Sequence, residues 1–196
     1  MTIQWVDLHL AGIELTGLDL QRAERAVAMA LSAAPGSAER QLGPATEPAS
    51  HPSPAEQALG APSPTDPSPA EQALGAPSAA DLVVRLVDDA ESARLHGEHF
   101  SDPTPTDVMT FPDGSHDPAS GRLLLGDLAI GIEVARRVAA ARGRRAADEV
   151  VLYVLHGALH LLGYDDHEPA DLAAMWAEQR RILAEVGIDL EPTPQD

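Results

Sequence analysis

Between about Pro35 and Ala80 the chain is rich in Pro, Ala, Ser and Gly, and it repeats itself. Pro52-SPAEQALGAP-Ser63 returns as Pro67-SPAEQALGAP-Ser78, a period of fifteen residues. Two copies are too few to stack into a solenoid. Proline at this density fixes φ and withholds N–H donors from helix and sheet. Few large apolar side chains are present to offset the entropy of ordering the segment. The sequence therefore predicts a disordered insertion over 35–80 within a single domain spanning 1–196, so the fold must be assembled from the two flanks.

The flanks complete each other. Ile3 to Leu8 alternates loosely as a strand, and Leu20, Ala23, Val27, Ala30 and Leu31 form a helical stripe within 18–31. After the insertion, Leu82–Val87 reads as a buried strand stopped by Asp88-Asp89, and 90–99 as a short helix. Two further strands are predicted at 107–111 and 123–130. Helices follow over 131–141, ending before Gly143, then 147–162 and 169–186. About four strands among about five helices indicate an α+β layered domain.

The chain has no cysteine, so disulfides and thiolate-bound metals are excluded, and any zinc must use His and carboxylate ligands. Residues Met1 to Leu10 lack a basic stretch followed by an apolar run, and no apolar run approaches membrane length, so a soluble, cytoplasmic protein is expected. The formal charge is −18, and all thirteen basic residues are arginine. Arg136, Arg137, Arg142, Arg144 and Arg145 crowd together. They suit either a solvated helix end or a phosphate-facing patch acting against a repulsive field.

The segment His156-Gly157-Ala158-Leu159-His160-Leu161-Leu162-Gly163-Tyr164-Asp165-Asp166-His167 carries the clearest chemistry. Histidines four apart share one helix face, so both imidazoles can reach one metal ion. Gly163 offers a helix stop, and the acidic turn behind it can return a third ligand. Two imidazoles and one further ligand leave a position for water, the layout of a catalytic zinc site. Such a metal acidifies water and polarises a phosphoryl oxygen. Gly157 stands where HExxH metalloproteases carry their glutamate, which disfavours proteolysis and leaves room for a bulky substrate.

Three blocks follow in order: Pro105-Thr106-Asp107-Val108-Met109-Thr110-Phe111-Pro112, then Leu125-Gly126-Asp127-Leu128-Ala129-Ile130, then His156 to Asp166. Together they resemble the YbeY family of bacterial endoribonucleases, with its HGxLHLxGYDH motif preceded by PTDVLSFP and LGDI-like segments. The resemblance covers the chain outside the Pro-rich segment. It implies a mixed sheet of about four strands around a zincin-like metal helix, with one zinc ion per chain. It also implies an endoribonuclease specific for single-stranded RNA, acting in ribosome biogenesis and in maturation of the 16S rRNA 3′ end. Its partners would be ribosomal RNA and the small ribosomal subunit or its proteins, with no role for DNA or a membrane.

The resemblance assigns His156 and His160 as metal ligands. The family's third ligand is a histidine; in this chain that place holds Asp166, with His167 one residue later, and either is chemically competent. Asp165 is a candidate base or a turn-forming residue. Thr106 and Asp107 are candidates either to orient substrate from a strand end or to cap the strand, and Asp127 either to support a ligand histidine or to serve a bulge or turn. Many family members carry an Arg in a YRGKD-like segment, where this chain has Phe100. Arg94, upstream, is the candidate catalytic replacement. Two alternatives to the nuclease stand: a ribosome-assembly or RNA-binding factor with a structural metal, and a metal hydrolase acting on another substrate.

Overall fold

The computed structural model describes residues 1–6, 15–34 and 80–189. The segment read as an insertion lies outside them, except for Ala80. The elements run β1 (Thr2–Val6), α1 (Gly17–Ala33), β2 (Ala80–Val87), α2 (Asp89–Phe100), β3 (Val108–Pro112), β4 (Leu123–Gly131), α3 (Ile132–Arg142), α4 (Ala146–Leu161) and α5 (Pro169–Glu185). The sheet order is β1-β2-β4-β3. β1, β2 and β4 are mutually parallel and β3 is antiparallel to β4, so the sheet is mixed and the domain α+β.

Alternation makes β2 a strand with one committed face: Ala80, Leu82, Val84 and Leu86 are all buried. They join α1, α4 and α5 in the main core. On the opposite face α2 covers a smaller cluster, where Leu95 and Phe111 pack on Val87, Met109 and Ala129. The β2–β4 register skips Leu125, a bulge that leaves Gly126 at φ +137°. A Cβ there would lie 2.2 Å from the Phe111 carbonyl oxygen, which explains glycine within this strand.

Helix α1 starts with a reciprocal cap. The Thr16 hydroxyl accepts from the Asp19 N–H at 3.2 Å, and the Asp19 carboxylate accepts from the Thr16 N–H at 3.0 Å. Asp19 is buried and also takes Arg145 at 3.2 Å, tying α1 to the start of α4. Burial alone would raise the Asp19 carboxyl; the Thr16 hydrogen bonds and the Arg145 charge outweigh it and hold the group below its usual range.

Helix α4 is the centre of the domain, apolar around most of its circumference, with Val150, Val151, Val154, Leu155, Ala158 and Leu159 all buried. Its approach to the sheet is set by Gly157, where a Cβ would stand 2.8 Å from Leu128 Cδ2 and 3.0 Å from Val108 Cγ2. The helix also buries Glu149. One carboxylate oxygen faces Arg144 at 3.5 Å, and the other has no partner.

Two predictions follow from this packing. Gly157→Ala adds a methyl group that forces Leu128 and Val108 aside, at about 1–3 kcal/mol, and recovers at most about 1 kcal/mol of helix propensity. Urea unfolding should show a net loss of about 1 kcal/mol, and Gly157→Glu should not fold. Glu149 has its carboxyl pushed up by burial, against the pull of Arg142 and Arg144. A raised folded-state pKa means that the native state holds the extra proton, so this group's contribution fades as pH rises through that value. Glu149→Gln removes the slope, and its stability relative to the parent should improve as pH rises above the ordinary carboxylate range, levelling off once the buried carboxyl has ionised.

Candidate metal centre

The last turns of α4 carry His156 and His160 on one face, with Nε2 atoms 3.2 Å apart and rings edge-to-face. Beyond Leu162 the chain reverses at Gly163, whose φ of +89° favours glycine. This reversal brings Asp166 back over the pair, its Oδ2 lying 3.6 Å from His160 Nε2 and 3.9 Å from His156 Nε2. His156, His160 and Asp166 form a group that could hold a metal ion. Zinc bonds of 2.0–2.2 Å in a tetrahedron put donors roughly 3.3 Å apart, close to the observed spacing.

The protonation pattern also fits a cation. His160 Nδ1 sits 3.2 Å from the Tyr164 carbonyl, which only accepts, so Nδ1 carries the hydrogen and Nε2 a lone pair. Asp166 is likewise an acceptor. A proton on His156 Nε2 can serve one of these two acceptors; an ion serves all three donor atoms. Burial pushes His156 below the usual imidazole range, helped by neighbouring His160 and opposed by Asp107, Asp166 and a hydrogen bond to Gln179. A neutral imidazole is the form that binds metal.

Gln179 escapes a motif search. It is buried on α5 among Met175, Ile182 and Leu183, an amide within an apolar stripe. That interruption of the stripe is its only sequence signal. By hydrogen-bonding His156 it does for that ring what the Tyr164 carbonyl does for His160, fixing its orientation.

His167 is turned outward, with its side chain 84% exposed and its Nδ1 bonded to Asp165. Asp165 Oδ1 also accepts from the N–H groups of Asp166 at 2.7 Å and His167 at 3.2 Å. These bonds, led by the His167 side chain, hold the Asp165 carboxyl down at about 2. That is the geometry of a turn-forming aspartate. His167 is raised by the same partner.

Thr106 and Asp107 lie just ahead of β3. The Thr106 hydroxyl donates to Asp107 Oδ1 at 3.1 Å, which also accepts from the Val108 N–H at 2.8 Å. Asp107 acts electrostatically on both His156 and Tyr153, favouring the protonated form of each. Arg94 is exposed on α2, its guanidinium bonded at 2.7 Å to Glu91 and Glu98 of its own helix. Asp127 is exposed on the sheet, whereas its neighbour Leu128 meets α4. Side chains alternate along a strand, so Asp127 faces away from the histidines, correcting the idea that it supports one of them. Gly157 also needs correction: its missing side chain admits the sheet, not a substrate.

The family model for endoribonuclease YbeY matches residues 68–187. Endoribonuclease YbeY of Kineococcus radiotolerans is 45% identical over 124 residues, 59% of this chain and 72% of that protein. Its counterpart from Halorhodospira halophila is 43% identical over 110 residues, 55% and 71% of the two chains. That of Mycobacterium leprae is 41% identical over 114 residues, 55% and 64%. With a family match over more than half its length and its histidine pair and returning acid in one group, the chain belongs to the endoribonuclease YbeY family.

Proposed function

We propose that the protein is a zinc-dependent endoribonuclease specific for single-stranded RNA. The observation that carries this reading is the convergence of His156, His160 and Asp166 in a member of the YbeY family. His156, His160 and Asp166 would hold the ion, with Asp166 rather than His167 completing the set. When bound, the ion supplies Lewis-acid polarisation of a phosphoryl oxygen and acidifies water near neutral pH.

The chain's own groups supply orientation. Gln179 and the Tyr164 carbonyl fix the two imidazoles, and Asp107, held by Thr106 and the Val108 N–H, favours a cationic partner beside His156. Thr106 and Asp107 thereby orient substrate at the end of β3. Asp165 shapes the turn that presents Asp166. Arg94 would have to release Glu91 or Glu98 before it could hold a phosphate. The same reading assigns the protein to ribosome biogenesis in the cytoplasm, maturing the 16S rRNA 3′ end on the small ribosomal subunit. No described helix is long and apolar enough to cross a membrane.

Zinc should copurify at one ion per chain. His156→Ala and Asp166→Asn should each lose the metal and the cleavage of single-stranded RNA, whereas His167→Ala should keep both. Cleavage by metal-free protein would overturn the nuclease reading, and metal loss in His167→Ala would overturn the ligand assignment. Protons compete with zinc for imidazole. Because His156 lies below the ordinary 6.5, zinc retention measured by dialysis should persist to lower pH than free imidazole would allow.

A further inference from the structure

Phe100, the last residue of α2, is 51% exposed; among the described residues only Leu18 is a comparably exposed large apolar side chain. The ring contributes little to the core, and it has company. Its centroid lies 5.5 Å from that of His96, with the planes tilted by 47°. One residue back, His99 meets Phe111 of β3 edge-to-face at 5.0 Å. Two ring pairs therefore mark the last turns of α2, one of them joining the helix to β3.

This ring cluster is anchored to the chain leading into the metal centre. His96 Nδ1 is 2.8 Å from the Thr104 carbonyl, and Asp102 accepts from both the N–H and the hydroxyl of Thr104. Ser92 donates to the Thr106 carbonyl at 3.2 Å and accepts from its N–H at 3.0 Å. The segment between Phe100 and Asp107 is thus held to α2 at Thr104 and Thr106, and it ends at Asp107, whose charge acts on His156. Ser101, at φ +61°, ends the helix in the left-handed conformation and leaves Phe100 at its tip.

Charge determines what such a surface can hold. The chain carries −18, and Arg94 on the same helix is already engaged by Glu91 and Glu98. Phosphate contacts, the usual source of nucleic-acid affinity, are therefore poorly supplied here. Stacking on an aromatic face does not depend on the sign of the field, and every base offers a π-face. Bases within a duplex are stacked on one another and unavailable, whereas unpaired bases can be splayed onto a ring.

We infer that Phe100, flanked by His96 and His99, is a stacking platform for an unpaired base of the RNA bound at the metal centre. The inference rests on the endoribonuclease reading and adds to it the group that selects single strands. The test uses the full chain with a 2′-O-methyl single-stranded oligonucleotide that cannot be cleaved, with binding followed by fluorescence anisotropy. Phe100→Ala should weaken binding by about tenfold, with zinc content and the salt dependence of binding unchanged, and Phe100→Trp should restore it. Abasic positions scanned along the oligonucleotide should include one whose loss costs the parent protein affinity but costs Phe100→Ala nothing further. Tight binding by the parent that Phe100→Ala leaves intact would overturn the platform alone, and would leave the exposed ring to a protein partner. A parent protein that neither binds nor cleaves single-stranded RNA would overturn the platform together with the nuclease reading.

Discussion

The close approach of α4 to the β3–β4 pair is the contact on which the site depends. At Gly157 the helix has no side chain, so Leu128 and Val108 fill the space that a Cβ would take. That contact fixes the rotation of the helix about its axis, and the residues on either side inherit their directions. His156 precedes Gly157 on α4 and Asp107 precedes Val108 ahead of β3, and the Asp107 charge acts on the His156 imidazole. Gly131 does similar work at the end of β4, where a Cβ would stand 2.2 Å from the Thr106 carbonyl oxygen. The glycine-bearing stretches of β4 and α4 are thus places where another strand or loop must come close.

The arginines have a comparable constraint. The crowded run from Arg136 to Arg145 suited either a phosphate-facing patch or a helix end, and the structure commits much of it to acids. Arg137 pairs with Asp89, Arg144 with buried Glu149, and Arg145 with Asp19 and Asp148. The exposed Arg137–Asp89 pair contributes little stability, whereas the other two arginines neutralise buried carboxylates. The larger effect of these pairs is to engage cations that would otherwise soften the acidic field toward a polyanionic substrate. Attraction for RNA must then come from local features, of which a cation at His156, His160 and Asp166 would be the most concentrated.

Much of the fold was legible because its periodicities are clean. The alternation of β2 and the apolar circumference of α4 each carry a single reading, and the element boundaries inferred from them fall within two residues of those observed. The histidine pair was legible for the same reason, since a spacing of four on a helix has one geometric meaning. Gly157 was seen as an absence at the metal, whereas the residue it accommodates lies on another element, beyond the reach of local sequence. Asp127 was misplaced because alternation along β4 gives two faces but does not say which one meets α4. Gln179 was missed because a single amide in an apolar stripe has no spacing partner, and its role appears only when α5 folds back over α4.

The third ligand shows why adjacent residues could not be separated by counting. Zinc accepts a carboxylate oxygen or an imidazole nitrogen at similar lengths, so donor chemistry leaves Asp166 and His167 equal. The turn makes the difference. Gly163 reverses the chain, and Asp165 then binds the next two backbone N–H groups through one oxygen, which sets the course of the following residues. On that course Asp166 returns over the histidines while the His167 ring folds back onto Asp165. Here Asp166 faces the histidine pair and the His167 side chain is 84% exposed. A donor set of His156, His160 and Asp166 would carry one negative charge more than three imidazoles, which would favour binding of a cation and reduce its acidifying power over water.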